Sequence, residues 1–362
     1  MHRSIIRSRK RTAAPVGGTA AREPSTTDGG KRAPSPSALA AAVVSAAWQR
    51  WVAENLLRGV EPDELVQGLV DGGVPQGLAR STVAAIAASP GLAVAQACER
   101  RAQRLAQVAR LHATVGEPLV LERRPAPAAA ELFSRYWAGS TPAIFTDIVP
   151  RWRQQWTPEG LAQRFGDVRV EACIGRQADP RPDVNWREHR VDLSLREYVD
   201  RVLAAGPTND LYLIANNRNT ARNELRVLWD DVVLPPGWFD EPRLPFGSAL
   251  WLGPAGTITP LHHDTSNILF CQIHGRKRIV LAPPWSEALL GSADGVYNRR
   301  GPEALASEGI AAIDVVMEPG EALFIPAGWW HDVRALDVSV SLAINAFARA
   351  NVYGWYAPGS VR

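Results

Sequence analysis

The chain predicts an α+β protein, a β-sandwich or jelly roll with decorating helices behind a small all-α N-terminal domain. Three observations carry this. From Gly116 onward, short β-type runs alternate with frequent Pro and Gly turn signals. Between Ser37 and about Val115, apolar residues recur at helical spacing instead. Eleven of the 13 Trp lie after residue 130, so the bulky core material is concentrated in the β-rich part.

Residues 1–36 are rich in Arg, Ser, Thr, Gly and Pro, with few large apolar groups to offset ordering entropy. They are expected to form a disordered basic tail. Eight Lys/Arg stand against two acids in the first 32 residues, while the whole chain carries only +3. Without the tail the body is slightly acidic, so nucleic-acid binding is not expected.

The segment 37–115 reads as a helical domain for dimerisation or partner docking. The Ala-rich run Ala38 to Ala47 reads as the start of a helix that continues through Trp48, Trp51, Val52, Leu56 and Leu57, and Gly59 can end it. Pro62 suits a first helical turn ahead of Leu65, Val66, Leu69 and Val70, and Gly72-Gly73 breaks that helix. Two further helices are expected around Leu78–Ala88 and Leu92–Thr114.

In 116–362, strands are expected at Ala143–Phe145, Val168–Cys173, Leu211–Ile214, Ala249–Leu252, Ile268–Ile273, Arg278–Leu281, Ala322–Ile325 and Val338–Ile344. Trp156–Phe165 and Leu193–Ala204 read as helices. Cys98, Cys173 and Cys271 are widely spaced and form no CxxC pair, which predicts free thiols and a cytoplasmic protein. No run reaches the eighteen or so apolar residues of a membrane helix, so no membrane partner is expected.

The chemistry is concentrated in Thr257-Ile-Thr-Pro-Leu-His-His-Asp264 and in Phe324-Ile-Pro-Ala-Gly-Trp-Trp-His331. Two imidazoles and one carboxylate are the donor set of a facial-triad ferrous site, which leaves the opposite face of the metal open. In an extended strand residues i and i+2 share a face, so His262 and Asp264 can point together while His263 points away. His331 would supply the third ligand from a separate strand.

Four segments extend the pattern: Phe133-Ser-Arg-Tyr-Trp-Ala-Gly-Ser-Thr-Pro-Ala-Ile144, Thr259 to Asp264, Gln272-Ile-His-Gly-Arg-Lys-Arg-Ile-Val-Leu-Ala-Pro-Pro284, and Glu318 to His331. On these, residues 131–347 resemble the cupin-like JmjC oxygenases, most of all the hydroxylase branch that includes the asparaginyl hydroxylase of hypoxia-inducible factor. The resemblance implies a double-stranded β-helix (cupin) core, with Fe(II) on His262, Asp264 and His331 and with 2-oxoglutarate and dioxygen as cosubstrates. It implies that Lys277, with Thr259 and Tyr212, holds the distal carboxylate of 2-oxoglutarate. Where the family often has an Asn, this chain has Ile268, so Asn267 would have to shift to take that place. Asn345 is a candidate to orient the site. Asn216, Arg218, Trp251 and Trp330 are expected to border a substrate groove.

The implied activity is hydroxylation of a side chain in a peptide or protein substrate. The alternatives are hydroxylation of a small metabolite, N-methyl demethylation, and a cupin module that binds metal without turnover. The chain ends soon after Asn345, so a homodimer is expected to form through the N-terminal helices.

Overall fold

The structure, a computed structural model, describes residues 44–115 and 120–356. The basic tail expected to be disordered lies outside the described residues. The chain divides into two compact units, Met1–Thr114 and Val115–Arg362.

The described residues of the first unit form four helices, α1 (Ala46–Leu57), α2 (Pro62–Asp71), α3 (Gln76–Ala87) and α4 (Pro90–Val115). Ser45 caps α1 by accepting the Trp48 N–H, so the described helix starts at Ala46; most of the Ala-rich run before it lies outside the described residues. Gly59 turns the chain at φ 74, and Pro62 opens α2 with Asp63 and Glu64 in its first turn, where carboxylates suit the helix dipole. Trp51, Val52, Leu56, Leu65, Leu69 and Val83 bury into one cluster. Each large side chain there is worth about 1.5–3 kcal/mol of burial.

The second unit is strand-dominated. In chain order it contains β1 (Glu122–Arg124), β2 (Ala143–Phe145), α5 (Pro158–Phe165), β3 (Arg169–Ile174), β4 (Arg190–Ser194), α6 (Leu195–Ala204) and β5 (Leu211–Tyr212). There follow β6 (Ser248–Gly253), β7 (Ile258–His263), β8 (Ile268–His274), β9 (Lys277–Ala282), β10 (Ala293–Asp294), β11 (Tyr297–Asn298), β12 (Ile313–Met317), β13 (Ala322–Ile325), β14 (Trp330–Ala335) and β15 (Ser339–Ile344). One six-stranded sheet has the order β1-β2-β13-β8-β15-β6, and the other β10-β11-β7-β14-β9-β12. Among the described strands, only the β1–β2 pair is parallel. These two sheets form the expected sandwich. A small sheet β4-β3-β5 adjoins it through the Leu213–Leu252 bridge, by which the chain leaves β3 for β6.

Local chemistry moves several expected boundaries. Thr157 caps α5 and Ser194 caps α6, each accepting an N–H three residues on, so the helices begin at Pro158 and Leu195. Leu193 and Ser194 belong to β4 instead. The Leu211–Ile214 run pairs as a strand only at Leu211 and Tyr212. β7 and β14 are the strands expected to carry His262 and His331, whereas β12, and the short β1, β4, β10 and β11, were not expected as strands.

The β8–β9 hairpin turns at Gly275, whose φ is 67. A Cβ built there would lie 2.1 Å from the Val338 carbonyl oxygen. Gly275→Ala therefore combines a strained backbone with a clash against another strand's main chain. It should cost about 1–3 kcal/mol, seen as a lower denaturant midpoint at unchanged slope.

Candidate active site

A cavity of about 390 Å³ opens between the two large sheets. Thr259, His262, His331 and Val333 line it from the β7/β14 side, and Ile268, Phe270, Ile325 and Ala343 from the other sheet. His331 sits directly across from His262 in the β7–β14 register. Asp264 follows immediately after β7, and Gly328 donates its N–H to the Asp264 carbonyl at 2.9 Å, tying the two ligand-bearing loops together. One donor atom each from His262, Asp264 and His331 lie within 4.8 Å of one another. Strand pairing thus joins residues far apart in sequence.

A bulge makes the rest of the site possible. Thr259 pairs with Val333 and His262 with His331, so β7 has Pro260 and Leu261 where β14 has only Asp332. In a regular strand Thr259 and His262, three apart, would face opposite ways. The extra residue turns both toward the cavity. Pro260 fits a break in the ladder because it has no N–H to donate.

Both imidazoles are oriented by the same device. His262 Nδ1 lies 2.8 Å from the Pro260 carbonyl oxygen and His331 Nδ1 2.9 Å from that of Trp329. A proton on each Nδ1 satisfies those carbonyls and leaves each Nε2 lone pair for a metal. Burial, and then the neighbouring His331, hold the His262 pKa down to about 4, so its ring is neutral near pH 7. Burial alone would raise the Asp264 carboxyl. The His331 hydrogen bond and the electrostatic pull of the two imidazoles outweigh it and bring it below the ordinary carboxylate value. Two imidazole nitrogens and one carboxylate are the donor set a ferrous ion takes on one face.

Lys277 is completely buried. Its Nζ donates to the Tyr212 hydroxyl at 3.3 Å and lies 5.5 and 5.4 Å from the ring centroids of Tyr212 and Phe270. No carboxylate among the described residues pairs with it. Tyr212 and Phe270 both line the cavity. Arg276, just before β9, and Arg278, on its opposite face, pair instead with Asp337 and Asp314 at the surface. A buried cation with donors to spare behind a cavity wall suits a ligand carboxylate.

The remaining candidates divide. Trp251, Asn216, Arg218 and Asn345 line the cavity. Trp251 packs against Tyr212 with ring centroids 5.4 Å apart. Asn267 does not line it. Its amide donates to Asn351 and accepts the Ala327 N–H, which commits it to bracing the chain, while Ile268, next along the strand, faces the cavity. Trp330 is also placed elsewhere. Strand alternation sends it away from His331 into a cluster with Leu261 and Leu289, against His263 at 4.7 Å.

Sequence reasoning missed Tyr297, which pairs with His262 across β11–β7 and lines the cavity. It also missed the buried ion pair of Arg176 and Asp183, 2.8 Å apart, of which Asp183 lines the cavity. The Arg176 guanidinium lies 5.2 Å from the Tyr212 ring centroid, backing the tyrosine that Lys277 touches. Burial pushes the Asp183 carboxyl up, against the pull of Arg176. None of these sits in a motif; only the fold brings them to the wall.

The part of the chain that carries this arrangement is similar in sequence to known proteins. A family profile described as the cupin-like domain matches residues 129–351. The chain is 30% identical over 226 residues to "Lysine-specific demethylase JMJ30" of Arabidopsis thaliana, covering 58% of this chain and 50% of that protein. It is 36% identical over 245 residues to "Jumonji C domain-containing protein 5" of Drosophila melanogaster, covering 60% and 57%. With the human "HSPB1-associated protein 1" it shares 27% identity over 241 residues, 57% of this chain and 47% of that one. The chain spans about half the length of the relatives it matches. With the family match covering well over half of its residues, on the same sheets that carry the triad, this chain belongs to the cupin-like JmjC family.

Proposed function

We propose that this chain is an Fe(II)- and 2-oxoglutarate-dependent dioxygenase that hydroxylates a side chain of a peptide or protein. One observation carries the reading: the His262, Asp264, His331 triad opens into the same cavity whose wall is backed by the buried, carboxylate-free Lys277. Iron(II) bound there, with 2-oxoglutarate and dioxygen, supplies oxidative decarboxylation to succinate and carbon dioxide coupled to oxygen insertion into a C–H bond.

The chain's own residues do the positioning. His262, Asp264 and His331 hold the metal, each imidazole fixed by its Nδ1–H bond to a backbone carbonyl. Lys277, with the Tyr212 and Thr259 hydroxyls, receives the distal carboxylate of the cosubstrate. Ile268, Phe270, Ile325 and Val333 keep the space between the sheets apolar, which excludes water and strengthens the charge contacts inside. A second cavity of about 390 Å³ shares the lining residues Asp183 and Tyr297 with the first, which supports a longer binding surface beside the metal site. A polypeptide extends along such a surface; a small metabolite needs only the first cavity.

We also propose that the helical unit carries a self-association surface, since Val94, Leu105, Val108 and Leu111 of α4 are exposed.

Three outcomes are expected. Mn(II) should raise the melting midpoint of the wild-type chain by several degrees, by mass action on the folded state. It should have no such effect on His262→Gln or Asp264→Asn, and an equal shift in those variants would remove the triad as the metal site. Lys277→Ala should raise the KM for 2-oxoglutarate about 10–100-fold, the worth of a charged hydrogen bond, in a succinate-release assay; an unchanged KM would place the cosubstrate elsewhere. A chain starting at residue 116 should scatter light as a monomer where the full chain is a dimer, and a dimeric truncation would refute the proposed surface.

A further inference from the structure

Resting on the peptide-hydroxylase reading, the mouth of the cavity points to the class of polypeptide it accepts. Arg218 stands there, exposed and lining the cavity, at φ 52 and ψ 33. The left-handed region is uncommon for a residue other than Gly, Asn or Asp, and such strain persists only where the surroundings enforce it. Here they do. On one side, Asn217 is buried, accepting the Ile214 N–H and donating to the Glu171 carboxylate. On the other, Asn219 is buried, accepting the Glu171 N–H and donating to the Glu171 carbonyl. Two amides clamped to β3 thus hold the loop so that Arg218 is presented outward. The guanidinium makes no hydrogen bond or ion pair with the described residues.

The other charges at the cavity are committed. Asp183 is paired with Arg176, and Asp264 belongs to the triad. Phe246, 66% exposed, lines the mouth, and the Arg226 guanidinium lies 5.3 Å from its ring centroid, with no carboxylate partner among the described residues. The charge free to meet a substrate at this mouth is therefore positive. A methylated lysine or other cation would find no uncommitted carboxylate among the described lining residues. We infer that the chain selects acidic polypeptides, with an Asp or Glu of the substrate paired to Arg218 and apolar contact made on Phe246.

The test uses the full chain with Mn(II) and 2-oxoglutarate, without oxygen, and three synthetic peptide pools of random sequence that carry fixed Glu, Gln or Lys residues at the same positions. Retained peptides are counted by mass spectrometry. The wild type should retain the Glu pool about two- to fivefold over the Gln pool, the range of one exposed ion pair, and high salt should erase the difference. Asn and Asp tolerate the left-handed backbone, so Arg218→Asn and Arg218→Asp test the charge with the loop intact. The Asn variant should lose the preference and the Asp variant should favour the Lys pool. A wild type that retains no pool, or prefers Gln or Lys, overturns the inference. So does an Asn variant that still prefers Glu. The visible charge-transfer band of the wild type with Fe(II) and 2-oxoglutarate, without oxygen, tests the oxygenase reading separately. Its absence would remove that reading while the peptide result still decides the role of Arg218.

Discussion

The pairing of β7 with β14, with one residue too many on β7, is the constraint from which the site follows. The register puts His262 beside His331, and the bulge at Pro260 and Leu261 turns Thr259 to the side His262 faces. Hydrogen-bond geometry sets this, since a strand's side chains alternate strictly unless a residue is inserted. The bulge also frees the Pro260 carbonyl, which would otherwise be a ladder position, to accept the His262 Nδ1–H. A single backbone irregularity therefore selects the residues of the site and fixes the tautomer of one ligand.

Around that seam the apolar and charged materials are kept apart. The inner walls are Ile268, Phe270, Ile325 and Val333, and Arg276 and Arg278 are drawn to Asp337 and Asp314 at the surface. Two of the polar groupings that remain inside also do structural work. Asn267, Asn351 and Ala327 close one network, and Arg176 and Asp183 brace Tyr212 from behind. Such networks are rigid because leaving one member unpaired in a low-dielectric interior is costly.

Much of this was legible in the sequence, for reasons that vary by residue. The triad could be picked out because a set of metal donors needs particular side chains at particular spacings, and Lys277 because the family resemblance pointed to its place on the next hairpin. The helical unit was readable because Gly59, Pro62 and Gly72 punctuate a 3.6-residue pattern. Asn267 was misplaced because one step along a strand reverses the face, and composition does not report which of two neighbours is turned inward. Trp330 was misplaced for the same reason. Arg218 was expected at the groove from its place after the Tyr212 run, whereas Tyr297 and Asp183 could not be found at all, since each depends on a contact made by chain folding from another part of the sequence.

Lys277 has one more consequence. Folding strips water from its ammonium and offers it only a phenol oxygen and two aromatic faces in return. The protein would be more stable with an apolar side chain of similar length there. On the proposed reading, the carboxylate of the cosubstrate would relieve that cost. If the proposed turnover ceased to matter, drift would be free to replace the lysine with methionine or leucine, while the surrounding sheets would survive unchanged. In a descendant of this fold, that one position would separate working copies from retired ones more sharply than the histidines, which any structural metal could keep in place.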